Sequence, residues 1–224
     1  MARDTKIRGV VFDLDGTLLD TSEHVLQAFD RVMREHGEHP KREAIIAAIG
    51  PPLLACYERL LPSHDATKAA HRHHELQQTE EFLELIQEYV GMRQTLAELR
   101  ESGMKTAVFT NRWRKGVDLL FKELGLGPEF DIVVSPDELK NGKPHPEGLL
   151  RIAEELGLAA RDLAMVGDLP LDIQVGKNAG AGLTIGITHG FGTREELAAA
   201  GADYLVDSLS ELGSLIGRLN HVKD

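Results

Sequence analysis

The chain has 224 residues, with 25 Lys or Arg against 36 Asp or Glu, a formal charge of −11 at pH 7. That length suggests one large domain, or a domain carrying a smaller one, and such a chain buries roughly 70% of the surface it exposes when unfolded, so no disulfide or structural metal is required to hold it. The single cysteine, Cys56, excludes an intramolecular disulfide and points to a reducing, cytoplasmic setting. Apolar stretches are strand-length, short of the roughly 20 residues of a membrane span, and the N-terminus has no apolar signal-peptide core. Net acidity argues against non-specific nucleic-acid binding, whose affinity depends on Lys and Arg displacing counterions from phosphates. The expected partner is thus a small molecule, not nucleic acid or a membrane, with a monomer or homodimer as the assembly.

In chain order, an apolar run at 7–12 predicts a first strand. Residues 18–90 then hold no strand-like run but helical patterns at 23–35, 42–48, 53–60 and a long stretch over 65–89. A structureless loop of that length is improbable, so this segment reads as a helical insertion forming a second, smaller domain, with 1–17 and 91–224 as the core. From residue 92 onward short apolar runs at 106–109, 132–134, 163–166, 183–187 and 204–206 alternate with amphipathic segments at 115–124, 146–156, 171–179 and 195–200. Gly103, Gly125, Gly157, Gly180 and Gly201 stand at helix ends, where a left-handed residue is favoured. Repeated strand-helix units predict an α/β fold, a Rossmann-like parallel sheet with helices on both faces.

Ligands of such sheets bind at the carboxyl ends of the strands. There the sequence places Asp13, Asp15, Gly16 and Thr17 after the first strand, Thr110 and Asn111 after the second, Gly142-Lys143-Pro144 after the third, and Asp168 after the fourth with Asp172 beyond. Two unit charges about 4 Å apart repel by about 4 kcal/mol at an effective dielectric of 20, so grouped carboxylates call for a cation. Oxygen-only ligands favour Mg²⁺, which leaves room for a phosphate oxygen. Lys143 with Thr110 and Asn111 would supply donors to a phosphate dianion, and Asp13 could attack phosphorus. Asp15, one strand period on, could face the same side; the shared negative charge would push it towards neutrality, so that it protonates the leaving oxygen while Asp13 stays ionised.

The stretch VVFDLDGTLLDT resembles the first motif of the haloacid dehalogenase-like superfamily, and VFTN, NGKPHPE and MVGDLPLDI resemble its second, third and fourth motifs in order. GFGTREEL and GADYLVDSLSEL are similar to the tail of its phosphoglycolate-phosphatase-like members, which also carry a helical cap after the first motif. The resemblance implies Asp13 as nucleophile and Asp15 as general acid and base. It implies Mg²⁺ held by the Asp13 side chain, the Asp15 backbone carbonyl and Asp168, with Asp172 in support; Thr110 and Lys143 on the phosphoryl group, Asn111 nearby; and Thr17 steadying the turn. Gly50 and Pro51 resemble a specificity loop of the cap, and Arg112 follows Asn111 where Lys is common. The activity implied is hydrolysis of a small phosphorylated metabolite, a phosphoglycolate-like monoester, through an aspartyl phosphate. A phosphosugar mutase or inorganic pyrophosphatase on the same scaffold is the alternative, and a phospho-accepting signalling module a remote one, disfavoured by the insertion and by Asp15.

Singly, several of these residues have plainer readings. Asp168 and Asp172 could be acidic residues at a helix N-terminus, Lys143 an exposed turn lysine, and Thr110-Asn111 an ordinary strand end. His71, His73 and His74 read as a solvated helix face, and Cys56 and Trp113 as packing residues.

Overall fold

The computed structural model describes residues 6–221. Aliphatic runs become the six strands of one sheet: β1 (Gly9–Phe12), β4 (Lys105–Phe109), β5 (Ile132–Val134), β6 (Leu163–Gly167), β7 (Leu183–Ile187) and β8 (Tyr204–Val206). Their order is β5-β4-β1-β6-β7-β8 and every neighbouring pair is parallel. The expected α/β sheet is therefore present, and the strands agree with the apolar runs to within two residues.

Alternation along β1 divides the core. Val10 and Phe12 join the cluster under α6 (Met92–Glu101), α7 (Arg114–Leu124) and α11 (Leu209–His221), whereas Val11 joins the one under α8 (Glu147–Glu155) and α9 (Pro170–Ala179). Helices on both faces explain why these strands read as unbroken apolar runs. The expected helix-ending glycines all have positive φ, between 64° and 86°. A final helix, α11, extends the apolar cluster beyond the last element anticipated from sequence. After β7 the short helix α10 (Arg194–Ala199) is capped by Thr193, whose hydroxyl accepts the Glu196 N–H.

Register places the chemistry. Phe12 pairs with Val108 on one side and Val166 on the other. Asp13 therefore emerges level with Phe109 and Gly167, and Thr110 and Asp168 follow one residue later on the two flanking strands.

The inserted segment holds α1 (Ser22–Glu35), α2 (Arg42–Ile46), α3 (Leu53–Leu60), α4 (Ala66–Leu76) and α5 (Glu80–Leu83). They bury a cluster of their own, including Leu26, Phe29, Val32, Ile45, Tyr57, Leu76 and Phe82. In two respects the segment differs from the expectation. It is not strand-free: β2 (Leu19–Asp20) runs antiparallel to β3 (Gln87–Glu88), so the outgoing and returning chains are laced together where they cross. The long stretch at 65–89 is also not one element, because the chain turns after Gln77 and again after Glu84. Two-residue strands carry no period of their own; what makes them is the meeting of the two crossing chains.

The separate cluster makes the insertion a candidate for independent unfolding. Phe82 is the one buried side chain of α5 and packs edge-on against the ring of His24. Phe82→Ala should cost about 3–5 kcal/mol within that cluster. Amide exchange should accelerate in α1 and α4 and stay unchanged in β1, β4 and β6; equal acceleration in all of them would show a single cooperative unit.

Candidate active site

Lys143, from the loop before α8, reaches under the sheet edge and is almost wholly buried; its Nζ donates to Asp13 Oδ1 at 2.8 Å and to Asp172 Oδ1 at 2.6 Å, 5.1 Å from the Phe109 ring centre. It is no exposed turn lysine. Asp172 has the helix-terminus role expected of it and a second one: from the first turn of α9 its Oδ2 accepts the Leu169 N–H at 3.1 Å, while Oδ1 accepts from Lys143. Asp168 is not a cap. Its Oδ1 accepts the Thr17 hydroxyl at 2.9 Å and its Oδ2 the Phe191 N–H at 2.8 Å.

Gly16 closes the turn after β1 with φ +82°, and a Cβ there would lie 2.3 Å from Asp168 Oδ2, so glycine is required both by conformation and by contact. The same turn is held from the other side by His189, after β7. Its Nε2–H donates to the Thr17 carbonyl at 3.0 Å, and its ring stacks on Tyr89 at 3.6 Å beside β3.

One carboxylate oxygen each of Asp13, Asp168 and Asp172 can be chosen so that the three lie within 4.8 Å of one another, all buried. Lys143 offsets one of these charges. Burial, with Asp172 and Asp15 adding repulsion, pushes Asp13 up to about 7 against the pull of Lys143, and burial with Asp13 and Asp172 raises Asp168 well above the usual carboxylate range. An all-oxygen, under-neutralised group of this kind fits a hard divalent cation.

Asp15 stands apart. Its side chain is not in that cluster but forms a bidentate pair with Arg112, Oδ2 accepting from Nε at 3.0 Å and Oδ1 from Nη2 at 2.6 Å. Burial alone would raise its pKa, but the Arg112 charge and hydrogen bonds outweigh it and hold the carboxyl below its ordinary value. The expected division of protonation is thus reversed in this state: Asp13 is the carboxyl driven towards neutrality and Asp15 the one held ionised. Arg112, which follows Asn111 where Lys is common, makes the difference.

Arg112 also ties the two units together. Its Nη1 donates to His24 Nε2 at 3.3 Å, and His24 Nδ1–H donates to the Phe82 carbonyl at 2.8 Å, which fixes the tautomer. Burial, then Arg112, pushes His24 down to about 4, so it is neutral. Asn111 Nδ2 donates to the Gly50 carbonyl at 2.8 Å, placing Gly50 and Pro51 over the site; Thr110, 1% exposed, accepts the Arg112 N–H at 3.0 Å. Asp13, Asp15, Thr110, Asn111, Arg112, Lys143, Gly50 and Pro51 line one cleft of about 730 Å³, open mouth included. Its remaining wall is largely apolar, with Val25, Phe29, Ile49, Leu53, Leu171 and Phe191.

The histidines of α4 are not a solvated face. His73 is buried and pairs with the Tyr57 hydroxyl at 2.9 Å, and His74 stacks on Trp113 with centres 4.4 Å apart; only His71 is exposed. Burial lowers both His73 and His74, the latter to about 4. Sequence reasoning missed His24, His189 and Phe191, whose parts depend on the insertion folding back and on the loop after β7. Among the described residues no helix is long and apolar enough to cross a membrane.

The haloacid dehalogenase-like hydrolase family matches residues 10–185. Pyrophosphatase PpaX of Bacillus mycoides (strain KBAB4) is 33% identical over 226 residues, 96% of this chain and 99% of that protein. Among solved structures, a haloacid dehalogenase-like family hydrolase from Streptococcus pneumoniae superposes with a TM-score of 0.84 at 23% identity, covering 94% of this chain and 98% of that one. CbbY from Rhodobacter sphaeroides in complex with phosphate gives 0.79 at 24% identity over 92% and 96%. With the four motifs converging at one sheet edge and a match over most of its length, this chain belongs to the haloacid dehalogenase-like hydrolase family.

Proposed function

We propose that this hydrolase is a Mg²⁺-dependent phosphatase of small phosphorylated metabolites, acting through an aspartyl phosphate on Asp13, with residues 18–90 as a cap that closes over the cleft. What carries the reading is the Lys143 ammonium joining Asp13 to Asp172 beside Asp168, a buried set of charges with no evident purpose in a merely structural core. Mg²⁺ would be held by Asp13, Asp168 and the Asp15 carbonyl, with Asp172 in support, and would neutralise the charge that keeps a phosphate dianion from a carboxylate.

An Asp13 carboxylate oxygen forms the bond to phosphorus as the bond to the leaving oxygen breaks, and Asp15, having left Arg112 and taken up a proton from solvent, delivers that proton to the leaving oxygen. Asp15, then a carboxylate, takes a proton from water; the water oxygen bonds to phosphorus, the Asp13–phosphorus bond breaks, and phosphate leaves with Asp13 restored. Thr110, Asn111 and Lys143 hold the phosphoryl oxygens, Thr17 steadies the turn through Asp168, and Gly50 and Pro51 meet the substrate from the cap. Apolar cap walls exclude water during the first step. A cytoplasmic setting belongs to the same reading, from the lone buried Cys56. Pyrophosphate is the second substrate class, favoured by the end-to-end match to PpaX proteins.

Asp13→Asn should lower kcat for phosphate release by at least about 10³-fold with the melting temperature retained or raised; turnover within tenfold of the parent would remove Asp13 as nucleophile. Activity should vanish in EDTA and return with Mg²⁺.

Removal of the cation has a stability signature too. Because the folded pKa of Asp13 lies near 7, above its unfolded value, the favourable contribution of its neutral form is complete below about pH 4 and is lost as pH rises through 7. In EDTA the melting temperature should therefore fall from pH 5 to pH 8, and Mg²⁺ should raise it more at pH 8 than at pH 5. A Mg²⁺ effect independent of pH would place the ion elsewhere.

A further inference from the structure

We propose that Arg112 is the receptor for a second anionic group on the leaving portion of the substrate, and that this group releases Asp15 from the guanidinium as it binds. The inference rests on the phosphatase reading above and names the class of substrate the same cleft selects: phosphomonoesters or phosphoanhydrides whose leaving group carries its own carboxylate or phosphate.

Among the described residues lining the cleft, Lys143 and Arg112 are the only Lys and Arg. Lys143 is committed to Asp13 and Asp172, at the phosphoryl end. A leaving-group anion entering the cleft meets apolar side chains from Val25, Phe29, Ile49, Leu53 and Leu171, where an uncompensated charge is expensive, and Arg112 is the cation left to receive it. The guanidinium is a planar fork suited to two-point binding of carboxylate or phosphate, and its side chain is only 4% exposed, so it does not exchange its partner for water.

That fork is already filled. Both carboxylate oxygens of Asp15 accept from Arg112, at 3.0 and 2.6 Å. In this position both Asp15 oxygens are taken up by the guanidinium. Arg112 itself is held from behind by His24, which is anchored to the Phe82 carbonyl, so the carboxylate is the partner that would give way. An incoming anion offers the fork an equivalent partner and lets Asp15 turn to the reacting centre. A neutral leaving group provides no such exchange, and Asp15 stays parked. Arg112 thus selects in binding and, by freeing Asp15, in turnover.

The test uses the full chain with Mg²⁺ and three substrates: inorganic pyrophosphate and 2-phosphoglycolate, with anionic leaving groups, and phenyl phosphate, with a neutral one. For the parent, Arg112→Gln and Arg112→Lys, kcat and KM are measured for each. The quantity read is the ratio of kcat/KM for an anionic over the neutral substrate, from which the amount of folded enzyme cancels. Removing a charge-assisted, two-point contact should lower that ratio by about 10- to 100-fold in Arg112→Gln, with changes in both kcat and KM. Arg112→Lys, which keeps the charge without the fork, should fall between, and it decides the matter alone if the Gln variant does not fold. Ratios within threefold of the parent's in the folded variants would overturn the assignment of Arg112 and leave the phosphatase reading standing. Absence of Mg²⁺-dependent phosphate release from all three substrates by the parent would overturn both.

Discussion

The structure of the site turns on one buried ammonium. Lys143 donates hydrogen bonds to both Asp13 and Asp172, and it comes from a loop remote in sequence from each. Burying an ammonium and several carboxylates costs several kcal/mol per ion unless geometry and hydrogen bonds compensate. Here the compensation is partial: Lys143 is held in its charged form despite burial, yet Asp13 and Asp168 are still driven upward. The fold thus holds an incomplete charge balance at the carboxyl edge of its sheet, of the kind that the proposed divalent cation would complete.

A second constraint couples the inserted helices to this edge. Asn111 donates to Gly50, Arg112 reaches His24, and Trp113 stacks on His74, so three consecutive residues after β4 each grip a different part of the insertion. The crossing itself is short, two residues in β2 and two in β3, and Tyr89 beside it stacks on His189, which in turn holds Thr17. These contacts join the insertion to the turn bearing Asp15 and Thr17 and to the segment bearing Asn111 and Arg112.

The core was legible because its signals are local. Strands covered on both faces must be apolar throughout, and glycines at helix ends mark positions with positive φ, so β1 and β4 to β8 and their intervening helices stand out in the text. That Asp13, Thr110 and Asp168 gather at one place was legible because a parallel sheet delivers the residues after its strands to one edge, and the register of Phe12 with Val108 and Val166 does so. What escaped depends on contacts between distant segments. The β2–β3 ribbon exists only because the two crossing chains meet; His24 looks like any helix residue until Phe82 and Arg112 close on it. The protonation of Asp15 was misjudged for the same reason, since spacing gives the distance to Asp13 and not the presence of a guanidinium from residue 112.

The histidines explain why so much rests on two cations. Three imidazoles lie at or beside the cleft, and each is neutral: His24 and His74 are pushed down to about 4, and His73 well below its ordinary value, by burial together with neighbouring positive charge. Had they been solvated, their charge would change across the physiological range, and with it the positive charge of the cleft. Stacked on Trp113, hydrogen-bonded to Tyr57 and anchored to Phe82, they instead serve as polar packing that carries no charge of its own. Arg112 is itself one cause of their neutrality, so the residue that holds Asp15 also prevents rival cations from forming beside it. Among the described residues lining the cleft, positive charge is thereby confined to Lys143 and Arg112.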